Sequence, residues 1–415
     1  MRVRIATSGP DARMAERLLI NRGHAVVSDP SAPVDLLVVD EWTSETDAPV
    51  LAARAEGVTV TVLAEMILDG LPNPVVGVTG TAGKSSTCRA LETILRACGR
   101  PPAISTTARS GNAWPDHSLV DQLAAAAADT VVIAELTSTH LCHMSRMHPD
   151  VAVVTTIRPD HVELHGGIKA YVAAKRRLVA ELDADDRVVL PTDDPETIRL
   201  LGPVEGQRWG FGGRDTGPGA YAVDGGALLI SPGAEVRVPT ALEGPLLRCG
   251  LAAASAALAL GIDADEVGAG LQGLRPVGHR QAPRPGPRAI TIVDDTMAAT
   301  PVKVRAALER FGAPGLVLVL GGDDALAGSP VHASPEEEAL LAETLALARQ
   351  CAVTIVAFGP ARRRILPHLT VDLEADDIDA ALSGALEACP DGGTVLVSPM
   401  FPLTPAEREA AAGLA

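Results

Sequence analysis

Gly80-Thr81-Ala82-Gly83-Lys84-Ser85-Ser86 is where residue types and spacing in this chain point most plainly to chemistry. Glycines let successive backbone N–H groups face one point. A helix starting there adds the positive end of its dipole, and Lys84 adds a full charge. Such a turn holds an anion, and Ser85 or Ser86 offers a hydroxyl to a magnesium ion. Val75, Val76 and Val78 ahead of it form an apolar, β-branched run typical of a buried strand. Leu91, Ile94, Leu95 and Cys98 behind it recur at helical spacing, with Gly99 as a stop. Strand, glycine turn and helix in that order read as a P-loop for a nucleoside triphosphate. The general pattern has a glycine separated by four residues from the Gly-Lys pair; Val78 stands in that place here.

Other groups could complete such a site. Glu135 lies at the carboxyl end of the strand-like run 130–136, which Thr137-Ser138-Thr139 follows. A carboxylate at a strand end beside a P-loop is placed to hold magnesium, directly or through water. The run Arg158-Pro159-Asp160-His161-Val162-Glu163-Leu164-His165-Gly166-Gly167, with Tyr171 and Lys175 after it, gathers acids, imidazoles and an amine. His140, Cys142, His143 and His148 suggest zinc, but their spacing fits no standard site, and a polar strand-to-helix turn accounts for them.

The shorter form Gly80-x-x-Gly83-Lys84-Ser85 resembles the signature of the Mur ligases and folylpolyglutamate synthetases. PDHVELHGGIKAYVAAK is similar to the Mur ligase pattern P-D-H-x-D-x-H-G followed by Y-x-x-A-K, with Glu163 for the usual aspartate. The resemblance implies that His161 helps hold a second magnesium and that CO2 carbamylates Lys175, turning a cation into an anion able to organise the metal centre. Only a primary amine can do this. His279-Arg280-Gln281 resembles the family's H-R-x-E hinge element, which would put Arg280 on the ATP phosphates; Ala282 replaces the glutamate. Asp294-Asp295-Thr296-Met297-Ala298-Ala299-Thr300-Pro301 resembles N-D-S-[KI]-A-T-x-P of the glutamate-adding members, with Asp295 on the nucleotide. Gly321-Gly322-Asp323-Asp324 and Val397-Ser398-Pro399 resemble G-G-x-D-K and S-P-A. Met297 and Ala325 replace lysines near the incoming amino acid, Leu403 replaces a serine, and Leu246–Leu251 replaces the H-N-x-x-N-A element near adenine.

The resemblance as a whole implies an ATP-dependent carboxylate–amine ligase using ATP, two magnesium ions and a carbamate on Lys175. A carboxylate attacks the γ-phosphorus, and an amine then attacks the acyl phosphate. The implied partners are a small carboxylate substrate, such as a UDP-muramoyl precursor, and an amino acid. A paralogue with another acceptor or amino acid, and an ATP-binding partner that no longer ligates, are the alternatives. A P-loop GTPase is disfavoured, because no N-K-x-D motif appears and the His161–Lys175 run would go unexplained.

The elements that must position these groups alternate strand and helix throughout, the pattern of parallel α/β sheets. Residues 1–73 read as a small Rossmann-like unit without GxGxxG at its first turn, Ser8-Gly9-Pro10-Asp11. Residues 74–277 read as the ATP-binding domain. Residues 278–415 read as a C-terminal Rossmann-like domain behind a linker, RPVGHRQAPRPGPR. Three domains suit 415 residues.

Composition sets the outer bounds. Hydrophobic residues are 47% and aromatics 2%, so the cores must be aliphatic. A net charge of −17 argues against nucleic-acid and anionic-membrane partners, so anionic substrates need local positive charge. Lysine is scarce, with only Lys84, Lys169, Lys175 and Lys303. The six cysteines show no CxxC and read as small buried hydrophobes. No secretory segment or membrane span is evident, so a soluble, cytoplasmic protein is expected; a monomer is expected too.

Overall fold

A computed structural model of the chain describes residues 1–7, 9–29, 31–105, 116–213, 215–275, 279–327 and 334–413. Ser8 of the first turn, and the boundary expected between residues 277 and 278, lie outside them. The chain forms two compact units. One comprises Met1–Ile157 with Leu164–Leu274, the other Arg158–Glu163 with Arg275–Ala415.

The first unit holds two sheets. Strands β1 (Arg2–Ile5), β2 (Ala25–Val26), β3 (Leu36–Val39) and β4 (Thr59–Val62) pair in the order β2-β1-β3-β4, all parallel. Helices Gly9–Asn21 and Ala48–Ala55 supply the crossovers, as the alternation predicts. A further helix, Leu63–Leu68, follows β4 without a loop, and all six of its residues are buried.

The larger sheet comprises β5 (Val75–Thr79), β6 (Ala103–Ser105), β7 (Val132–Glu135), β8 (Val151–Val154), β9 (Arg187–Pro191), β10 (Gln207–Gly212), β11 (Gly219–Val223), β12 (Gly226–Ser231) and β13 (Ala234–Pro239). Their order is β13-β12-β11-β10-β9-β8-β5-β7-β6. Pairing is parallel from β6 across to β11; β12 and β13 then extend the sheet antiparallel. The glycine-rich stretch after residue 206 supplies β10 and β11 of the parallel part and then β12 and β13 of this extension. The alanine-rich helix Gly244–Ala259 packs with the Lys84–Ala97 helix in one apolar cluster, where Leu91, Ile94 and Leu95 are fully buried. Alanines at this contact let the two helices approach closely. β8 stops at Val154, because Thr155 and Thr156 turn to bond the Gly80–Gly83 loop. The helix that carries Tyr171 and Lys175 runs from Ile168 to Arg176 and tightens into a 3-10 turn, Arg177–Val179, as helix ends commonly do.

The second unit carries β14 (Ala282–Pro285), β15 (Thr291–Asp294), β16 (Leu316–Gly321), β17 (Thr354–Phe358), β18 (Leu373–Ala375) and β19 (Thr394–Val397), ordered β14-β15-β19-β16-β17-β18. All pairs are parallel except β14 with β15. Part of the expected linker is therefore a strand. Its prolines are tolerated because β14 is an edge. Helix Pro335–Cys351 opens with a capping box between Ser334 and Glu337, and Glu337 also accepts from the Val162 amide at 3.4 Å, seating residues 158–163 in this unit. All six cysteines are free, and Cys88, Cys142, Cys249 and Cys389 are buried. Among the described residues no helix is long and apolar enough to cross a membrane.

Candidate active site

β5 lies inside the larger sheet between β7 and β8, so the loop after it opens at the carboxyl ends of three parallel strands, where α/β sheets bind ligands. Glycine is required at two loop positions. Gly80 has φ +149°, and a Cβ there would lie 1.9 Å from Thr155 Oγ1. Gly83 caps the Lys84–Ala97 helix in the left-handed region, φ 87°. Thr155 pins the turn by donating its hydroxyl to Ala82 O at 2.6 Å, and the Thr81 amide donates to Thr156 O at 2.7 Å.

The two singled-out lysines meet on this loop. Lys84 Nζ donates to the Gly80 carbonyl at 2.8 Å, and Lys175 Nζ donates to the same oxygen at 3.0 Å. Lys175 is 2% exposed, and its amine lies 4.8 Å from the centre of the Tyr171 ring. The Tyr171 hydroxyl is 2.7 Å from Thr81 Oγ1. Of the two serines, Ser85 donates its hydroxyl to Glu135 Oε1 at 2.9 Å, and both groups are buried; Ser86 is half-buried. A hydroxyl and a carboxylate converging at the loop are hard oxygen donors of the kind magnesium takes, so this pair fits that ion.

His161 belongs to the second unit, whereas Lys84, Glu135 and Lys175 belong to the first. It has φ 53°, and its Nδ1 is 3.8 Å from Glu163 Oε1. Burial lowers the imidazole's affinity for a proton, but Asp160 and Glu163 outweigh burial and the opposing charge of Lys303, and its pKa rises. Asp160 Oδ1 and both carboxylate oxygens of Glu163 are buried without hydrogen-bond partners, a costly arrangement that a cation would relieve. These donors also fit magnesium.

Three motif segments of the second unit come together. Asp295 accepts from the Gln281 amide at 3.1 Å and from Ser398 Oγ at 2.9 Å, which joins the 279–281, 294–301 and 397–399 motifs. Burial pushes its carboxyl up to about 7, against the lowering effect of those bonds and of Arg280. His279 Nδ1 is 2.9 Å from Asp294 Oδ2, and His279 and Gln281 both have positive φ, so the half-buried Arg280 sits in a sharply bent segment. Of the substituted positions, Met297 is half-buried, Ala325 is exposed, and Leu403 packs inside an apolar cluster with Ile290, Ile292 and Val395.

Three features were not picked out from the sequence. Thr155 clamps the loop. Cys249 stands in the replaced adenine element, with its thiol 3.7 Å from Gly83 O. Glu45, far away in the chain, bonds His165 at 3.0 Å. The threonine pair after β8 and the replaced element Leu246–Leu251 were the only local signals for any of them. The histidines considered for zinc have other employment. His140 belongs to a capping box with Thr137, His143 Nε2 is 2.8 Å from Thr43 O, and His148 is 2.8 Å from Asp186. A cleft of about 440 Å³ in the same unit is lined by Arg54, His143, Met147 and Arg177 among others, and by none of the loop residues.

Comparison with known proteins agrees with the motifs. The family described as Mur ligase middle domain matches residues 78–216. A UDP-N-acetylmuramoylalanine–D-glutamate ligase of Pelotomaculum thermopropionicum is 31% identical over 298 residues, 70% of this chain; that match spans 63% of the relative's length. The enzyme of the same name from Anaeromyxobacter dehalogenans is 30% identical over 388 residues, 88% of this chain and 79% of its own. Among solved structures, a pseudomurein peptide ligase type C from Methanothermus fervidus shares the fold, with a TM-score of 0.65 at 16% identity over the whole of both chains. Fold, loop and relatives thus agree, and the chain belongs to the Mur ligase family of ATP-dependent ligases.

Proposed function

We propose that the protein forms an amide bond between a carboxylate acceptor and an amino acid at the expense of ATP, through an acyl phosphate. The glutamate-adding step on a UDP-muramoyl precursor is the nearest template. The observation that carries this reading is the meeting of Lys84 and Lys175 on the Gly80 carbonyl, in the unit that also sets Ser85 against Glu135. In this reading the loop N–H groups and Lys84 cradle the triphosphate, and Lys84 exchanges its carbonyl partner for phosphate oxygens. Magnesium, when bound by Ser85 and Glu135, screens the phosphate charge from an incoming anion. The acceptor carboxylate attacks the γ-phosphorus in line and ADP leaves. The amine then attacks the acyl carbon, loses a proton and expels phosphate. Asp160, His161 and Glu163 would hold a second magnesium, Arg280 and Asp295 would contact the nucleotide, and the Lys175 amine would carry the carbamate. We also read residues 1–73, 74–277 and 278–415 as substrate, ATP and ligase domains, acting as a monomer.

A second reading is favoured by the amino-acid elements. Leu403 is in a core, and Met297 and Ala325 carry no charge for a glutamate side chain. The enzyme would then be a paralogue with another amino acid or acceptor. Phosphate release from ATP, measured with UDP-N-acetylmuramoyl-L-alanine and with other carboxylates against a panel including D- and L-glutamate, tests both. Turnover with the muramoyl precursor and D-glutamate alone would remove the paralogue. Tight ATP binding with no substrate-dependent phosphate release would point instead to a partner that no longer ligates.

A further inference from the structure

We infer that Glu45 is a positioning residue, tying the N-terminal sheet to the phosphate loop and its lysines through His165 and Tyr171. This rests on taking the Gly80–Ser86 turn as the ATP loop.

The chain of contacts is continuous. Glu45 lies in the segment after β3. Its amide donates to Leu164 O at 3.1 Å, and Ser44 Oγ donates to the same carbonyl at 2.7 Å, so backbone bonds seat this segment beside His165. Glu45 Oε2 accepts from His165 Nδ1 at 3.0 Å. The carboxylate stays ionised there. Burial raises its pKa, but His165, Arg54 and Arg177 outweigh burial and hold it below the usual carboxylate range. An acceptor at Nδ1 fixes the tautomer and the ring plane, much as outer carboxylates orient catalytic or metal-bound histidines. The imidazole is wholly buried and meets Tyr171 edge to face, with ring centres 5.6 Å apart and planes at 71°. Tyr171 is 1% exposed, so its orientation is set by what packs on it. Its hydroxyl reaches Thr81 at 2.7 Å, and its ring carries the Lys175 amine that bonds Gly80 O. Turning the His165 ring would shift Tyr171 and, with it, both the loop hydroxyl and the amine.

Two neighbouring features sharpen the assignment. Cys142 comes within 4.8 Å of Glu45 and His165 through its ligand atom, as in a metal site. Burial pushes that thiol up, however, and the charges of Arg54 and Arg177 oppose a cation. A separate polar tie joins the same sheets without leading to the loop. Glu65 Oε1 accepts from the Ser145 and Arg146 amides, each at 2.7 Å, and from Ser145 Oγ at 2.8 Å. Glu65 therefore serves as the control for simple docking of the N-terminal sheet.

The experiment compares full-length wild type, Glu45→Gln, Glu45→Asp, Glu65→Gln, Tyr171→Phe and the Glu45→Gln/Tyr171→Phe double variant. Hydrogen exchange is read over residues 79–86, with kcat and the KM for ATP beside it. Glu45→Gln is expected to speed loop exchange about fivefold or more while Glu65→Gln leaves it at the wild-type rate. Glu45→Gln should lower kcat about tenfold with the KM for ATP within about threefold, and Glu45→Asp should recover part of that loss. The double variant should lose less than the product of the two single losses, because Tyr171→Phe already removes the hydroxyl branch of the chain while keeping the ring that carries Lys175. Wild-type loop exchange in Glu45→Gln, equal loop exchange in both glutamate variants, or losses that multiply in the double variant would each overturn the inference. Exchange needs no turnover, so a wild type without ligase activity whose loop still answers to Glu45→Gln would sink the ligase reading and support the coupling.

Discussion

Lys84 and Lys175 share one carbonyl oxygen, yet different chemistry is asked of each. In the proposed mechanism Lys84 serves as a point charge for phosphate. Lys175 is buried against Tyr171 and has the primary amine that can bond CO2 with loss of a proton. Alanine at either position is expected to abolish ligation, with bicarbonate or a short carboxylic acid partly restoring only Lys175→Ala. Equal rescue, or none, in an ADP-release assay would count against a carbamate. Asp295 carries a pH signature. Its carboxyl titrates at about 7 when folded against 3.8 for an unperturbed aspartate, so between those values the folded chain holds a proton that the unfolded chain has lost. Stability contributed by this group therefore falls as pH rises through that window. Asp295→Asn should flatten the dependence, as read by urea melts at pH 5 and pH 8; an unchanged slope would mean the acid is not protonated. Glu135→Gln should raise the magnesium concentration needed for half-maximal ATP binding about tenfold, because it weakens one of two converging oxygen donors.

At the scale of elements, the Gly80–Ser86 loop depends on a backbone that only glycine adopts without a clash. Gly80→Ala drives a methyl into Thr155 at a left-handed-side φ, and is expected to cost about 2 kcal/mol or more of stability and to abolish ATP binding. Adding Thr155→Ala removes the closest obstruction but leaves Thr156 N at 3.0 Å, the Thr155 Cβ at 3.1 Å and the φ penalty, and it gives up the Ala82 hydrogen bond, so denaturant titration of the double variant should recover only a small part of the stability. If Gly80→Ala binds ATP normally, this loop geometry is not the binding geometry. Elements with a strong local signal were legible in advance. Val75–Thr79, Leu316–Gly321 and Thr354–Phe358 are continuous apolar runs, and parallel strands buried on both faces read that way. The Leu63–Leu68 helix was not legible, because a buried six-residue helix continuing directly from a strand has no turn to announce it. β14 was hidden by its prolines, which signal a linker unless the strand is known to be an edge.

At the scale of the whole molecule, the chain leaves the first unit at Ile157, contributes Arg158–Glu163 to the second, and returns at Leu164. Val162 is 1% exposed there, and its amide bonds Glu337. A fragment ending at residue 274 should therefore leave residues 158–163 open to protease, while the full chain protects them; equal cleavage in a time course would show the segment does not depend on the second unit. The sequence by itself determined the βα alternation, the glycine–lysine turn and the family, because strand runs, helical spacing and turn chemistry are written in neighbouring residues. Tertiary structure alone decided that Ser85 is the serine meeting Glu135, that Lys175 reaches the Gly80 carbonyl, that His161 keeps company with the second unit, and that Leu403 is core. Each of those outcomes joins side chains or segments brought near only by packing, and packing leaves no trace in local spacing.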